Sequence, residues 1–318
     1  KNNYILRNKK THFLLTAETH NFPTGIAPFP GAATGIGGRL RDVQATGRGA
    51  FCVCGSAGYS VGDIYNNENE YPNNMATPRK ILIEASNGAS DYGNKFGEPI
   101  IVGFTNTFSE KYNNERVEYI KPIMFTSGLG MIHDEHLYKN NPTTDMLVCK
   151  IGGPVYRIGL GGSSASSRVS SNELDYLSVQ RDDAEMEQKM DKVIKTCIEL
   201  GENNPIESIH DQGAGGNGNV LKEIIEDKGA TFDIGHLTLG EKNLSNIDIW
   251  LSEYQESNAI LVSKKNIKLM KEICDREYVT LDIVGVVKDK GITIVNKDKC
   301  ILSNYEVQHK LPKRNYYL

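Results

Sequence analysis

Ile206-Glu-Ser-Ile-His-Asp-Gln-Gly-Ala-Gly-Gly-Asn-Gly-Asn-Val-Leu-Lys-Glu-Ile-Ile-Glu226 is the stretch on which the fold class turns. A short run at 206–209 enters a turn rich in glycine, and a helical pattern over 220–226 follows, the strand–turn–helix order of an α/β chain. The segment also holds a formal Gly-x-Gly-x-x-Gly from Gly213 to Gly218, with Asp233 about twenty residues on, as in a dinucleotide fold. Polar His210, Asp211 and Gln212 lie between the strand and the first glycine, where a dinucleotide-binding turn would follow an apolar strand directly. The strand is also short and of mixed polarity. We therefore read the motif as a decoy, and Asp211, at a strand end beside glycines, as a candidate ligand for a hard cation.

Working outward, the runs 13–17, 81–85, 100–104, 147–151, 206–209, 259–262 and 281–287 read as strands and alternate with helical patterns. The clearest helix spans 184–200, where Met186, Met190, Val193, Ile194 and Cys197 recur at three- and four-residue intervals and mark a core-facing stripe. Two Asn-rich stretches, 65–74 and 111–118, carry too little apolar surface to order themselves and read as surface insertions. A third polar stretch, 138–144, separates the motif-bearing halves. The expected architecture is α/β (α+β) in two domains, residues 1–142 and 143–318.

Charge excludes several function classes. The 36 Lys and Arg nearly balance 40 Asp and Glu without forming a basic block, which argues against a nucleic-acid surface. No apolar run is long enough to span a bilayer, so no membrane contact is expected and the ligand should be small. The start, Lys1-Asn-Asn-Tyr-Ile-Leu-Arg7, lacks an initiator Met and a signal-peptide core and reads as the edge of an excised piece. The six cysteines are scattered, and Cys52 and Cys54 share one face of an expected strand rather than the CxxC spacing of redox or zinc sites. Reduced, mostly buried thiols in a cytoplasmic protein are expected. None sits in a nucleophile-elbow context, so glutamine hydrolysis would have to come from elsewhere.

Chemistry concentrates in four segments. In Glu18-Thr-His-Asn-Phe-Pro-Thr-Gly25, expected as a strand-end loop, a carboxylate and an imidazole two apart point to one side and could hold a metal and a proton acceptor together. A structural histidine is the plainer reading of His20. Pro30-Gly-Ala-Ala-Thr-Gly-Ile-Gly-Gly-Arg-Leu-Arg-Asp42 offers glycines through which backbone N–H groups could approach an anion; a flexible loop leading into a charged helix is the alternative. No Gly-Lys-Ser/Thr follows, which excludes a Walker A loop. Gly159-Leu-Gly-Gly-Ser-Ser-Ala-Ser-Ser167 could bind phosphate, though a plain turn fits nearly as well. The fourth is the 210–218 turn. Two weaker candidates are His133, Asp134, Glu135 and His136, whose spacing is poor for zinc, and Ser252-Glu-Tyr-Gln-Glu-Ser257, which could line a pocket rim or be a solvated strand edge.

The strings ETHNFPTGIAPFPGAATGIGGRLRDVQATGRGA, IEASNGASDYGNKFGEP, KPIMF, GGPVYRIGLGG, HDQGAGGNGN and EYQESNA, in this order, resemble phosphoribosylformylglycinamidine synthase of the large, single-chain type over nearly the whole length. The resemblance implies one synthetase half built like aminoimidazole ribonucleotide synthetase, whose N-terminal sheet pairs with that of a second half. It implies a ligase of purine biosynthesis: ATP activates the amide oxygen of formylglycinamide ribonucleotide, and ammonia, from a glutaminase domain of the same parent chain, displaces phosphate to give the amidine. By resemblance His20 is the proton acceptor, and Glu18, Asp42 and Asp211 are Mg2+ ligands. Thr19, Asn21, Phe22, Arg41, Gln180, Glu253, Tyr254 and Gln255 are substrate contacts. Gly31, Ala32, Ala33, Thr34, Gly35, Ile36, Gly37, Gly38, Arg39, Leu40, Arg41 and Asp42, with Val102, Gly103 and Phe104, correspond to the region assigned to ATP. One loop serves nucleotide and substrate together only with difficulty. Phe22 and Tyr254 depart from the small-subunit form, which has histidine and serine there. Alternatives are a non-catalytic nucleotide-binding half or a related ATP enzyme of the aminoimidazole ribonucleotide synthetase type. An isolated half should be nearly inactive unless it self-associates.

Overall fold

The structure, a computed structural model, describes residues 9–65, 71–160, 179–297 and 299–305. The first part of the chain forms β1 (Thr11–Thr19), β2 (Phe51–Val61), β3 (Ile100–Thr107), the hairpin β4 (Ser109–Tyr112) and β5 (Glu115–Glu118), and β6 (Ile123–His133). Its helices are α1 (Asn21–Ile26), α2 (Pro28–Gln44) and α3 (Pro78–Phe96). Four strands make a sheet in the order β1-β6-β2-β3, antiparallel except for the parallel β2–β3 pair. The helices cover one face, where Ala33, Ile36, Leu40, Ile81, Ala85, Ala89, Tyr92 and Met124 form a buried cluster.

Alternation along β1 and β6 puts the other set of side chains on the uncovered face. Phe13 and Leu15 pair with Met131 and Leu129 and are 76% and 83% exposed. Further along, Phe104 packs against Phe125 with ring centroids 5.8 Å apart. This sheet is thus apolar on both sides but packed on one.

The second part forms β7 (Leu147–Gly152), β8 (Ile206–Asp211), β9 (Gly229–Asp233), β10 (Ser257–Val262), β11 (Thr280–Lys288), β12 (Ile292–Asn296) and β13 (Lys299–Tyr305). They pair in the order β13-β12-β9-β11-β7-β10-β8, with only β12–β9 parallel, unlike the parallel sheet of a dinucleotide fold. Helices α4 (Ala184–Glu199) and α7 (Ile267–Arg276) cover one face, with Met190, Val193, Ile194, Cys197, Met270, Ile273 and Cys274 in its core. Helices α5 (Gly216–Glu223) and α6 (Asn246–Leu251) cover the other, with Val220, Leu221, Ile249 and Phe232. Strand β10, between β7 and the edge strand β8, is buried at every position, Ile260 facing one core and Ala259 and Leu261 the other. The Arg48 side chain joins the two parts, its guanidinium donating to the backbone carbonyls of Ile206 (2.8 Å) and Asn204 (2.7 Å).

Several expectations change. The run 81–85 lies in α3, not in a strand: Pro78 opens the helix, Gly97 closes it in the left-handed region (φ 95°), and Ile81, Ala85, Ala89, Tyr92 and Phe96 make a helical stripe that a five-residue window conceals. Residues 111–118 are at the surface but ordered as the β4–β5 hairpin. Of the 65–74 stretch, residues 66–70 lie outside the described residues, as do 161–167 of the serine-rich segment. Cys52 and Cys54 straddle a register shift in β2, which breaks the alternation assumed for them. His136 is buried with Nε2 3.0 Å from the Ile198 carbonyl oxygen, while Asp134 and Glu135 pair outward with Lys10 and Lys9, so the four residues do not converge. Among the described residues no helix is long and apolar enough to cross a membrane.

Candidate active site

A cavity of about 410 Å³ opens where the end of β1, helices α1 and α2, the end of β8 and the segment before β10 meet. Its walls include Glu18, Thr19, His20, Asn21, Phe22, Thr34, Gly38, Asp42, Lys121, Gln180, Asp211, Gln212 and Gln255. Of the 18–25 segment only Glu18 and Thr19 are extended; α1 begins at Asn21, so the expected loop is a strand running into a helix with His20 at its N-cap. Asn21 is fixed by accepting a hydrogen bond from the Met124 backbone N–H at 2.9 Å.

The glycine-rich segment departs further from expectation. All of residues 28–44 is the single helix α2, its interior N–H groups engaged in helical hydrogen bonds and unavailable to cradle an anion. Its glycines serve close packing instead. A Cβ at Gly35 would stand 3.0 Å from His20 Cβ, one at Gly37 2.6 Å from the Tyr92 hydroxyl, and one at Gly38 2.9 Å from Glu18 Oε1. Without a Cβ at these positions the helix packs directly against the side chains of His20, Tyr92 and Glu18. Ala32, Ala33, Ile36 and Leu40 are core, whereas Thr34, Gly38 and Asp42 reach the cavity.

His20 has a defined tautomer. Its Nδ1 lies 2.5 Å from the Gly31 carbonyl oxygen, an acceptor only, so Nδ1 carries the proton and donates it, leaving Nε2 as an acceptor. Burial lowers its pKa to about 4, opposed by the Gly31 carbonyl and reinforced by Arg41. The imidazole is neutral at pH 7. Glu18 is pushed up to about 7, first by burial and then by Asp42, with Asp211 adding to it. Asp42 rises to about 6 through burial and Asp211. Burial also raises Asp211, but a hydrogen bond from His210 and the charge of Arg41 outweigh it and hold its carboxyl low. Three carboxylates thus crowd one cavity with too little countercharge.

That imbalance, together with hard oxygen donors, fits Mg2+. Among the described residues, however, no group of three or more His, Cys, Asp or Glu converges closely enough to hold an ion. The carboxylates surround the cavity rather than a point.

Arg41 departs from the expected substrate contact. It is fully buried, 3.1 Å from Glu187 and 3.6 Å from Glu256, and it donates to Gln255. Burial opposes its charge, but the two carboxylates more than restore it and raise its pKa. A cation held this way ties α2 to α4 and to the wall residue Gln255. Arg39 is likewise locked on Glu98 in a two-point pair. Glu253 and Tyr254 sit behind the wall: Glu253 accepts from the Gly215 N–H (3.1 Å) and from Gln180 (3.3 Å), and Tyr254 donates to Asn217 (3.1 Å). Val102, Gly103 and Phe104 lie on β3, the sheet's far strand, and are not among the cavity walls. Sequence reasoning missed Lys121 as a wall residue, although it opens the KPIMF string, and gave no role to Glu187, one partner of Arg41; Glu256, the other, entered only as part of the 252–257 rim candidate.

Residues 145–297 match AIR synthase related protein, C-terminal domain. The chain is similar in structure to Thermotoga maritima PurL complexed with FGAR, at a TM-score of 0.76 and 23% identity, over 93% of this chain and 46% of that one. It is also similar to hydrogenase maturation protein HypE, at a TM-score of 0.63 and 14% identity, over 98% of this chain and 92% of that one. The fold is that of the AIR synthase-related proteins. Within that class the chain belongs to the phosphoribosylformylglycinamidine synthase family. It is 52% identical to the probable chloroplastic/mitochondrial enzyme of Arabidopsis thaliana across 87% of this chain and 21% of that protein. It is 48% identical to the Homo sapiens enzyme across 91% of this chain and 23% of that protein. The chain therefore spans about a quarter or less of the length of these relatives.

Proposed function

We propose that this chain is the first synthetase half of a phosphoribosylformylglycinamidine synthase and carries its reaction cavity: ATP-dependent conversion of formylglycinamide ribonucleotide and ammonia to the amidine. The observation that carries the reading is a neutral, tautomer-fixed imidazole in the same cavity as three carboxylates, two of them with raised pKa values. Family membership supports it, as do the structures of Thermotoga maritima PurL complexed with FGAR and with ATP.

Each demand of the chemistry has a candidate. Nε2 of His20 takes a proton from the attacking nitrogen, and its low pKa keeps it free to do so at neutral pH. Glu18, Asp42 and Asp211 offer oxygen donors around the cavity and would hold Mg2+, countercharge for a polyphosphate, once the bound ligand draws them onto a shared ion. Gln255, held by Arg41, and Gln180 offer amide groups to orient a polar substrate. Thr34, Gly38 and Asp42 are the residues of α2 we assign to ligand contact.

The second half of the parent chain is the partner we propose for the open face of the first sheet. Exposed Phe13 and Leu15, with Leu129 and Met131 beside them, form the kind of apolar surface that an obligate neighbour covers. A glutaminase domain elsewhere in the parent would supply ammonia. We retain a cytoplasmic location as part of the proposal; the six cysteines are free, while the Arabidopsis relative's name carries an organellar location.

The test is His20→Ala in the full-length parent. Synthetase activity with ammonia should fall by about 100-fold or more, while the melting temperature and ATP binding remain. An active variant would remove His20 from the mechanism.

A further inference from the structure

The ribonucleotide substrate of the proposed reaction carries a phosphate monoester, and its dianion needs a cation. The two arginines that the sequence offers on α2 cannot supply one: Arg39 is paired with buried Glu98, and Arg41 with Glu187 and Glu256. Lys150 is buried behind the wall, its ammonium over the Tyr254 ring, and donates to Gln212. Among the described residues lining the cavity, Lys121 is the lone lysine or arginine.

Lys121 is also not the counterion of the carboxylates. The cations that act most strongly on Glu18 and Asp42 are Arg41 and Arg39, and on Asp211 they are His210 and Arg41. Its backbone is well placed. Three residues on, Met124 is held twice, its N–H by the Asn21 side chain and its carbonyl by the His20 N–H, each at 2.9 Å. Pro122 abuts α1 so closely that a Cβ at Gly25 would stand 3.0 Å from its Cδ. An exposed ammonium thus rises from a fixed base, tied to the same two residues that open the cavity.

We infer that Lys121 is the phosphate-binding residue of this cavity and takes the monoester of the ribonucleotide, leaving the carboxylate cluster to the metal-bound nucleotide. The inference rests on the proposed synthetase reading and deepens it.

Steady-state kinetics of the full-length parent with Lys121→Gln and Lys121→Arg test it. Lys121→Gln should raise the KM for formylglycinamide ribonucleotide about tenfold or more, with the KM for ATP within about twofold, and Lys121→Arg should recover most of the loss. A KM increase for ATP instead, or none for either substrate, overturns the assignment. Calorimetry of ribose 5-phosphate against uncharged ribose separates this from the function itself. If the wild-type parent fails to turn over the ribonucleotide, the synthetase reading fails, and ribose 5-phosphate binding then decides Lys121 alone. Binding that is lost in Lys121→Gln keeps it as an anion site, and binding that is unchanged, or absent in the wild type, removes it.

Discussion

The two sheets use the same apolar vocabulary to different ends. In the second sheet every apolar face meets a helix, and β10 is buried at all six positions between two cores. In the first sheet helices cover one face only, and Phe13 and Leu15 stand in solvent on the other. The covered sheet supplies Asp211 from the end of β8, and the half-covered sheet supplies Glu18 and His20 at the end of β1, whose other face is exposed. Stability and chemistry are therefore distributed unequally between them.

Substitutions can break this contrast. The largest effect belongs to the finished core: Ile260→Ala should cost about 3 kcal/mol in chemical denaturation, because the cavity it leaves cannot collapse between two packed layers. A cost below about 1 kcal/mol would mean that the second sheet is looser than described.

Next comes the strained edge of the site. The folded pKa of Glu18 is about 7 against an ordinary 4.5, so its ionisation opposes folding; the penalty is absent below pH 4.5 and complete above pH 7. Glu18→Gln should therefore stabilise the chain by about 1–2 kcal/mol at pH 8 and leave it unchanged at pH 4, as read by melting at the two pH values. Equal effects at both pH values would exclude an electrostatic origin.

The smallest effect sharpens the comparison best. Leu15→Asp, on the open face, should shift the isolated chain by less than about 0.5 kcal/mol. In the full-length parent the same change should lower the melting temperature, because the second half proposed above would cover the face there. An isolated chain that loses far more would show that the face is covered within the chain itself or by a second copy of it.

Much of this was legible in the sequence where local pattern and tertiary packing agree. The runs 147–151, 206–209, 259–262 and 281–287 all fall within strands, and the 184–200 stripe is α4. Glu18, His20, Asp42 and Asp211, singled out by residue type and motif order, do meet at one cavity. What failed was the inference from glycine to loop. Buried on both sides, α2 uses its glycines for proximity, and Pro28 at its first turn was the available signal. Arg41 was assigned to ligand because a sequence does not reveal which charges are paired internally; Glu187 lies 146 positions away. Lys121 was passed over for the converse reason, since a single lysine before a strand is ordinarily solvated.

The hydrogen bond that orients His20 ends on a backbone carbonyl, that of Gly31. An imidazole steered by a neighbouring aspartate or glutamate can be mis-set by one codon change in that neighbour. Here the orienting atom belongs to every amino acid alike, so no single substitution deletes it. The imidazole can be lost by replacing His20 or by displacing the helix, but its proton cannot be moved to the other nitrogen by altering a partner side chain. Heritable variation around this position should therefore fall into two kinds, silent or disabling, with few intermediates.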